Sequence, residues 1–335
     1  MAPRAIVYGL EGPALTEREY AFFRDADPWG FILFSRNVRD YDQLVTLIAE
    51  LRGCVGRRAR IFVDQEGGRV QRLGPPTWRA WDDVAAMIRG LDDAAADEAL
   101  RLRYRLIARE LWRCGIDVNC APVLDAPAPG AHAVIGDRAL GSDAATVARR
   151  GRIVVDALLA GGVQPVIKHI PGHGRAAEDS HETLPVVGAP RADLEATDFA
   201  AFRPFADVAF AMTAHVRYDA IDPTACATFS PRVISLIRRD IGFKGLILTD
   251  DLSMGALDGP VASRCQRALA AGCDVILHCS PDMAEMEAAA EATPLFDGAT
   301  LAKAEASRAP APEPWEGDDV MAAQLEAVLA GKAHG

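Results

Sequence analysis

Between Lys168 and His181 the chain reads Lys-His-Ile-Pro-Gly-His-Gly, a short charged segment, and then Asp179-Ser180-His181, so three of its seven histidines fall within one short stretch. A folded core has no use for such a cluster, because every buried imidazole must find partners for two ring nitrogens. Taken singly, each histidine reads as a residue of a polar surface loop; taken together they point to chemistry. Asp179 and His181 are spaced so that the carboxylate can accept a hydrogen bond from one imidazole nitrogen while the other faces a substrate, an arrangement that makes a general acid/base near neutral pH. Gly172 and Gly174 read as a hinge that lets this loop close and exclude water. A second candidate is Asp250, at the end of Gly245-Leu-Ile-Leu-Thr-Asp-Asp-Leu-Ser-Met254. A carboxylate leaving a strand end into a dry pocket can serve as a nucleophile toward an acetal carbon, as a metal ligand or as a base, and the sequence by itself leaves all three open.

The elements that must carry these residues follow from periodicity. Eight short apolar runs recur, at residues 5–8, 30–34, 60–63, 118–120, 165–167, 208–212, 246–249 and 274–277. Segments of helical period lie between them, at 16–25, 41–51, 93–113, 142–159, 231–239 and 262–271. This alternation predicts a parallel sheet, and eight repeats predict a (β/α)8 TIM barrel. Polar groups collect just after the strands: Asp64 to Arg69 after the third, Asp125 after the fourth, Lys168-His169 at the fifth, His215 after the sixth and Asp250-Asp251 at the seventh. For each alone a solvated loop charge or a helix cap suffices, and Asp251 reads as a cap for the next helix; the regularity is what marks the active end of a barrel. Residues 74–81, with Trp78 and Trp81, and the Pro/Ala/Gly-rich 126–141 interrupt the layout and are expected to shape the mouth. Residues 308–316 read as a solvated connector to a last helix at 318–329.

Composition narrows the classes of partner. A formal net charge of −11 without any Lys/Arg block disfavours nucleic acid and anionic membranes. The first residues enter directly into a strand-like run without a signal-peptide pattern, and no apolar stretch is long enough to span a bilayer, so a cytoplasmic protein is expected. The seven scattered cysteines contain no Cys-x-x-Cys pair and are expected to be buried and reduced.

Three stretches, Lys168-His-Ile-Pro-Gly-His-Gly174 with Asp179-Ser-His181, Val63-Asp-Gln-Glu-Gly-Gly-Arg-Val-Gln-Arg72, and Leu248-Thr-Asp-Asp-Leu-Ser-Met254, resemble the family 3 glycoside hydrolases, and specifically their bacterial β-N-acetylhexosaminidases. The resemblance runs from about the second strand to the eighth and is weakest after residue 282. It implies a single catalytic barrel over residues 1–335 that removes terminal β-linked N-acetylglucosamine with retention, without cofactor or metal. It maps the nucleophile to Asp250, the acid/base to His181 assisted by Asp179, and sugar binding to Asp64, Arg72, Arg138, Lys168 and His169. The expected substrate is a small carbohydrate or a muropeptide from cell-wall turnover. Ile170 departs from a common aromatic and Thr249 from a common serine, and a histidine acid/base departs from the usual carboxylate pair. A metal-dependent hydrolase on the same barrel is the main rival, because His169, His173, Asp179, His181, His215 and Asp250 are all ligand types; against it, the His-x-His pair that opens such barrels is missing. A Schiff-base lyase built on Lys168 and a non-catalytic sugar-binding protein are the remaining readings. The oligomeric state is left open.

Overall fold

The computed structural model describes residues 2–128, 133–176, 178, 180 and 183–331. Eight strands, β1 (Arg4–Tyr8), β2 (Pro28–Leu33), β3 (Arg60–Val63), β4 (Val118–Asn119), β5 (Gln164–Ile170), β6 (Phe210–Thr213), β7 (Leu246–Leu248) and β8 (Ile276–His278), pair in parallel, each with its neighbour in sequence. β1 pairs with β8, and a parallel bridge from Leu248 to Val275 closes the ring. The result is the (β/α)8 barrel expected from the alternation of apolar runs. Helices α1 (Glu17–Ala26), α2 (Tyr41–Cys54), α3 (Asp93–Cys114), α4 (Ala144–Ala160), α5 (Asp198–Phe202), α6 (Pro231–Leu236), α7 (Val261–Ala271) and α8 (Met283–Ala292) surround it. Several begin where a side chain can satisfy the first free amides: Thr16 and Glu19 form a capping box on α1, Asp92 accepts from Ala95, and Asp143 accepts from Ala145 and Thr146.

Strand alternation sorts the apolar residues into two cores. Ile6, Ile61, Ile167, Ala211, Ile247 and Ile276 face the helices, whereas Val7, Phe62, Val166, Phe210, Leu246, Leu248 and Leu277 fill the barrel interior. At the base of the interior Trp29 meets Phe62, Phe210 and Phe296 edge-on at 5.6, 5.7 and 5.6 Å between ring centres. Phe296 belongs to the segment after residue 282, for which the resemblance offered least. That segment covers the base of the barrel: α9 (Gly298–Ala306) adds Ala304 to the interior core, Arg60 donates to the Ala304 carbonyl, and Gln164 donates to that of Ser307. Residues 308–316 are more than a solvated connector. Arg105 and Arg109 stand over the Trp315 ring, whose N–H donates to Asp318 at the start of α10 (Asp318–Ala330). All seven cysteines are buried and unpaired. No helix among the described residues is long and apolar enough to cross a membrane.

The aromatic cluster at the base holds the barrel shut from below. Phe210→Ala is expected to lower the stability by about 3–5 kcal/mol through lost contacts and the cavity left behind, read as a shift of the urea unfolding midpoint.

Candidate active site

The interior alternation does not stop where the strand ladders stop. Two residues beyond the inward-facing Ile32, Phe62, Val166, Leu248 and Leu277 come Phe34, Asp64, Lys168, Asp250 and Cys279, and all five line one cavity of about 330 Å³ at the C-terminal end of the barrel. Arg72, Arg138 and His169 line it as well. The structure therefore brings together Asp250, Asp64, Arg72, Arg138, Lys168 and His169, six of the eight residues singled out in the sequence. The other two, Asp179 and His181, lie outside the described residues.

Most of these charges form one buried chain. Lys168 Nζ is 2.7 Å from Asp64 Oδ1 and 2.7 Å from Glu66 Oε1. Asp64 continues to Arg72 at 3.4 Å, and Glu66 is gripped by both arms of Arg138, at 2.8 and 2.7 Å. Burial alone would neutralise Lys168, but the two carboxylates outweigh it and hold its pKa above the ordinary lysine value. A lysine so held stays an ammonium, which removes the basis of the Schiff-base reading. Burial likewise pushes Glu66 up, yet Arg138 and Lys168 prevail and keep its carboxyl well below the usual range. Glu66 was not singled out in the sequence. Its signal is the spacing within Asp64-Gln65-Glu66, which sets two carboxylates on either side of one ammonium.

The two aspartates after β7 have different tasks. Asp251 accepts from the Ser253 amide at 2.9 Å, the Ser253 hydroxyl at 2.5 Å and the Cys279 amide at 3.0 Å, so it ties the end of β7 to the end of β8. It is a local brace and not the cap of a following helix. Asp250 accepts only the Asp251 amide, at 2.8 Å, among the described residues. Its burial is outweighed by the imidazoles of His215 and His169, the Asp251 amide and Lys168, so its pKa lies below the ordinary value. The site thus holds an ionised carboxylate with one oxygen unpaired among the described residues.

The imidazoles are largely committed. His215 donates from Nε2 to the Asp251 carbonyl at 3.0 Å and meets Thr228 Oγ1 through Nδ1 at 2.7 Å, the neutral tautomer that this pairing requires. His169 Nδ1 lies 2.7 Å from Asp125 Oδ2. His173 is buried behind His169, with Nε2 3.1 Å from Ser180 Oγ. No group of three or more His, Cys, Asp or Glu among the described residues is arranged to hold a metal ion. The Lys168–His169 peptide is cis, and the register between β5 and β6 shifts there.

Two sequence expectations are corrected. Gly172 and Gly174 are packed positions and not a free hinge: a Cβ on Gly174 would lie 1.9 Å from the Ala126 carbonyl oxygen, and the Gly172 carbonyl accepts from the Tyr218 hydroxyl. Trp78 and Trp81 do not shape the mouth. Trp81 packs beneath Arg103 and Arg79 and donates to Glu110 on α3, and Trp78 lines a separate groove against the same helix.

An ionised carboxylate with a spare oxygen, facing a rank of fixed donors and acceptors at the mouth of a barrel, is the equipment of a glycoside hydrolase. Residues 17–304 match the glycosyl hydrolase family 3 N terminal domain. The chain is 39% identical over 278 residues to a beta-hexosaminidase of Neisseria gonorrhoeae, covering 81% of this chain and 77% of that protein. It is also 39% identical over 281 residues to one of Alkalilimnicola ehrlichii, covering 82% and 80%. The crystal structure of NagZ from Neisseria gonorrhoeae in complex with N-trifluoroacetyl-D-glucosamine superposes with a TM-score of 0.85 at 33% identity, covering 99% of this chain and 98% of that one. The chain belongs to glycosyl hydrolase family 3.

His173 supplies a pH test of this packing. Burial, reinforced by the neighbouring His169, lowers its pKa from 6.5 to about 4, so the folded protein holds it neutral. Between those values the unfolded chain binds the extra proton; the stability due to this group is complete above pH 6.5 and is lost as the pH falls toward 4. His173→Gln is expected to flatten the loss of urea resistance across that window.

Proposed function

We propose that this enzyme is a retaining exo-β-N-acetylglucosaminidase whose nucleophile is Asp250. The observation that carries the reading is the ionised Asp250 carboxylate lining the same cavity as Lys168 and Asp64; the beta-hexosaminidase relatives, and the glucosamine derivative bound by the NagZ neighbour, supply the sugar. In the first step the carboxylate attacks the anomeric carbon from the face opposite the leaving group. His181, assisted by Asp179, protonates the departing glycosidic oxygen. The glycosyl ester is then hydrolysed by water that His181 deprotonates, restoring the β configuration. Asp64 accepts from the sugar hydroxyls, Arg72, Arg138 and Lys168 donate to them, and His169 meets one through Nε2, the ring nitrogen left open. We assign residues 1–335 to one catalytic barrel, consistent with the way α9 and Phe296 complete its interior. As natural substrate we propose N-acetylglucosaminyl-anhydromuramyl peptides released from peptidoglycan and turned over in the cytoplasm.

Chromogenic β-N-acetylglucosaminide is expected to be cleaved far faster than β-glucoside or β-xyloside, with activity undiminished after exhaustive chelation. A 5-fluoro N-acetylglucosaminyl substrate should add one sugar mass, located by peptide mapping at Asp250. Labelling at Asp251 or Asp64 would refute the nucleophile.

His181→Ala is expected to lose roughly 10²–10⁴ in rate on a sugar aglycone. With a nitrophenyl leaving group the first step needs little help, so a burst and slow turnover should follow, and azide should restore turnover as the β-glycosyl azide. Equal slowing of both substrates with no azide effect would reduce His181 to a binding residue.

A further inference from the structure

One ionisable group at the site has no part in the mechanism just described. Asp125 lies beyond β4 on a segment bound to β5 on both sides, Leu124 donating to the Lys168 carbonyl at 2.7 Å and Lys168 to the Pro122 carbonyl at 3.1 Å. Its side chain is wholly buried. Oδ2 is 2.7 Å from His169 Nδ1; Oδ1 accepts the His173 amide at 2.6 Å and the His169 amide at 3.2 Å. A carboxylate taken out of water is costly unless its lone pairs are met, and here three N–H groups of two neighbouring residues meet them. The contact also decides the chemistry of the ring. An ionised carboxylate only accepts, so the proton sits on Nδ1, and Nε2 is the nitrogen left for the cavity.

We propose that Asp125 is a positioning residue for substrate binding: it fixes the Nδ1-protonated state and ring orientation of His169, so that Nε2 meets a sugar hydroxyl, and it anchors the backbone from which that ring projects. The inference rests on the sugar-binding role given to His169 above. A carboxylate that merely braced the chain would need only the two amides. The third contact, to the ring of a cavity-lining residue, is the one that reaches the substrate.

The test is a double-mutant cycle on the full chain. Asp125→Asn keeps the shape but offers one acceptor oxygen and an NH2 group, and an NH2 facing Nδ1 would force the proton onto Nε2. The loss expected is roughly 10–100-fold in kcat/KM, the usual scale for removing the partner that orients a functional histidine. In a His169→Ala background the same change should cost less than about 3-fold, since the ring it orients is gone. Full additivity would show that Asp125 only braces the backbone and would overturn the proposal. Nitrogen-15 NMR of the unmodified enzyme gives a readout that needs no Asp125 variant and no substrate: His169, assigned by the signal lost in His169→Ala, should carry its proton on Nδ1. A proton on Nε2 alone would overturn the assignment. Should the enzyme prefer another β-glycoside, the cycle is run on that glycoside; the choice of sugar then fails, while coupling or additivity between Asp125 and His169 still decides the role of Asp125.

Discussion

The site depends on one buried ammonium. Lys168 sits between Asp64 and Glu66 at 2.7 Å from each, and no element can place all three by itself: the lysine comes from β5 and the carboxylates from the turn after β3. Breaking a buried pair by removing one partner typically costs about 3–5 kcal/mol, because the survivor is left charged and unpaired. The arrangement is stable only when complete. Completeness in turn requires Arg138, brought in by the long connection after β4 to clamp Glu66, and Arg72, returned by the short hairpin of Gln65–Gly67 with Val70–Gln71 to flank Asp64. Two loops and two strands are thereby fixed to one another at the mouth of the barrel.

The legibility of this site in the sequence has a simple limit. Strand alternation is local, and carrying the inward phase of Phe62, Val166 and Leu248 two residues further reaches Asp64, Lys168 and Asp250. Such positions could be read from the pattern of apolar runs. Asp125 could not be given a role that way, because what it does is defined by a partner 44 residues distant. The closure of the base by Phe296 and α9 was missed for a related reason: its residues are few, dispersed and outside the strand pattern. The glycines of the Lys168–Gly174 stretch misled in the opposite sense. Glycine permits motion, but it also permits the close approach of two backbones, and only the position of Ala126 distinguishes the two uses.

The paired aspartates show how adjacent identical side chains acquire separate work. Both follow β7, and their charges are the same. Every acceptor position that Asp251 uses is filled by Ser253 and Cys279, so its negative charge is spent on joining two strand ends. Asp250 is held instead through its backbone, with Thr213 at 3.4 Å from its amide, and through one oxygen that receives the next amide. The nucleophile proposed for Asp250 needs an orientation fixed by one oxygen and a lone pair left on the other. Asp251 supplies half of that orientation, since its own amide is the donor to Asp250.

Charge balance then explains how cations can line the cavity in which the proposed reaction would develop positive charge. A glycosidic transition state has oxocarbenium character, so an unshielded ammonium beside the ring would oppose the reaction. Arg72, Lys168 and Arg138 alternate with Asp64 and Glu66, and each internal member has an opposite charge on both sides. In the proposed reading their N–H groups serve the sugar hydroxyls while their fields largely cancel. Asp250, in contrast, has no arginine or lysine in contact among the described residues. Its charge meets only the imidazoles of His215 and His169, the Asp251 amide and the pull of Lys168, and in the proposed reaction an anomeric carbon becoming positive would gain from it.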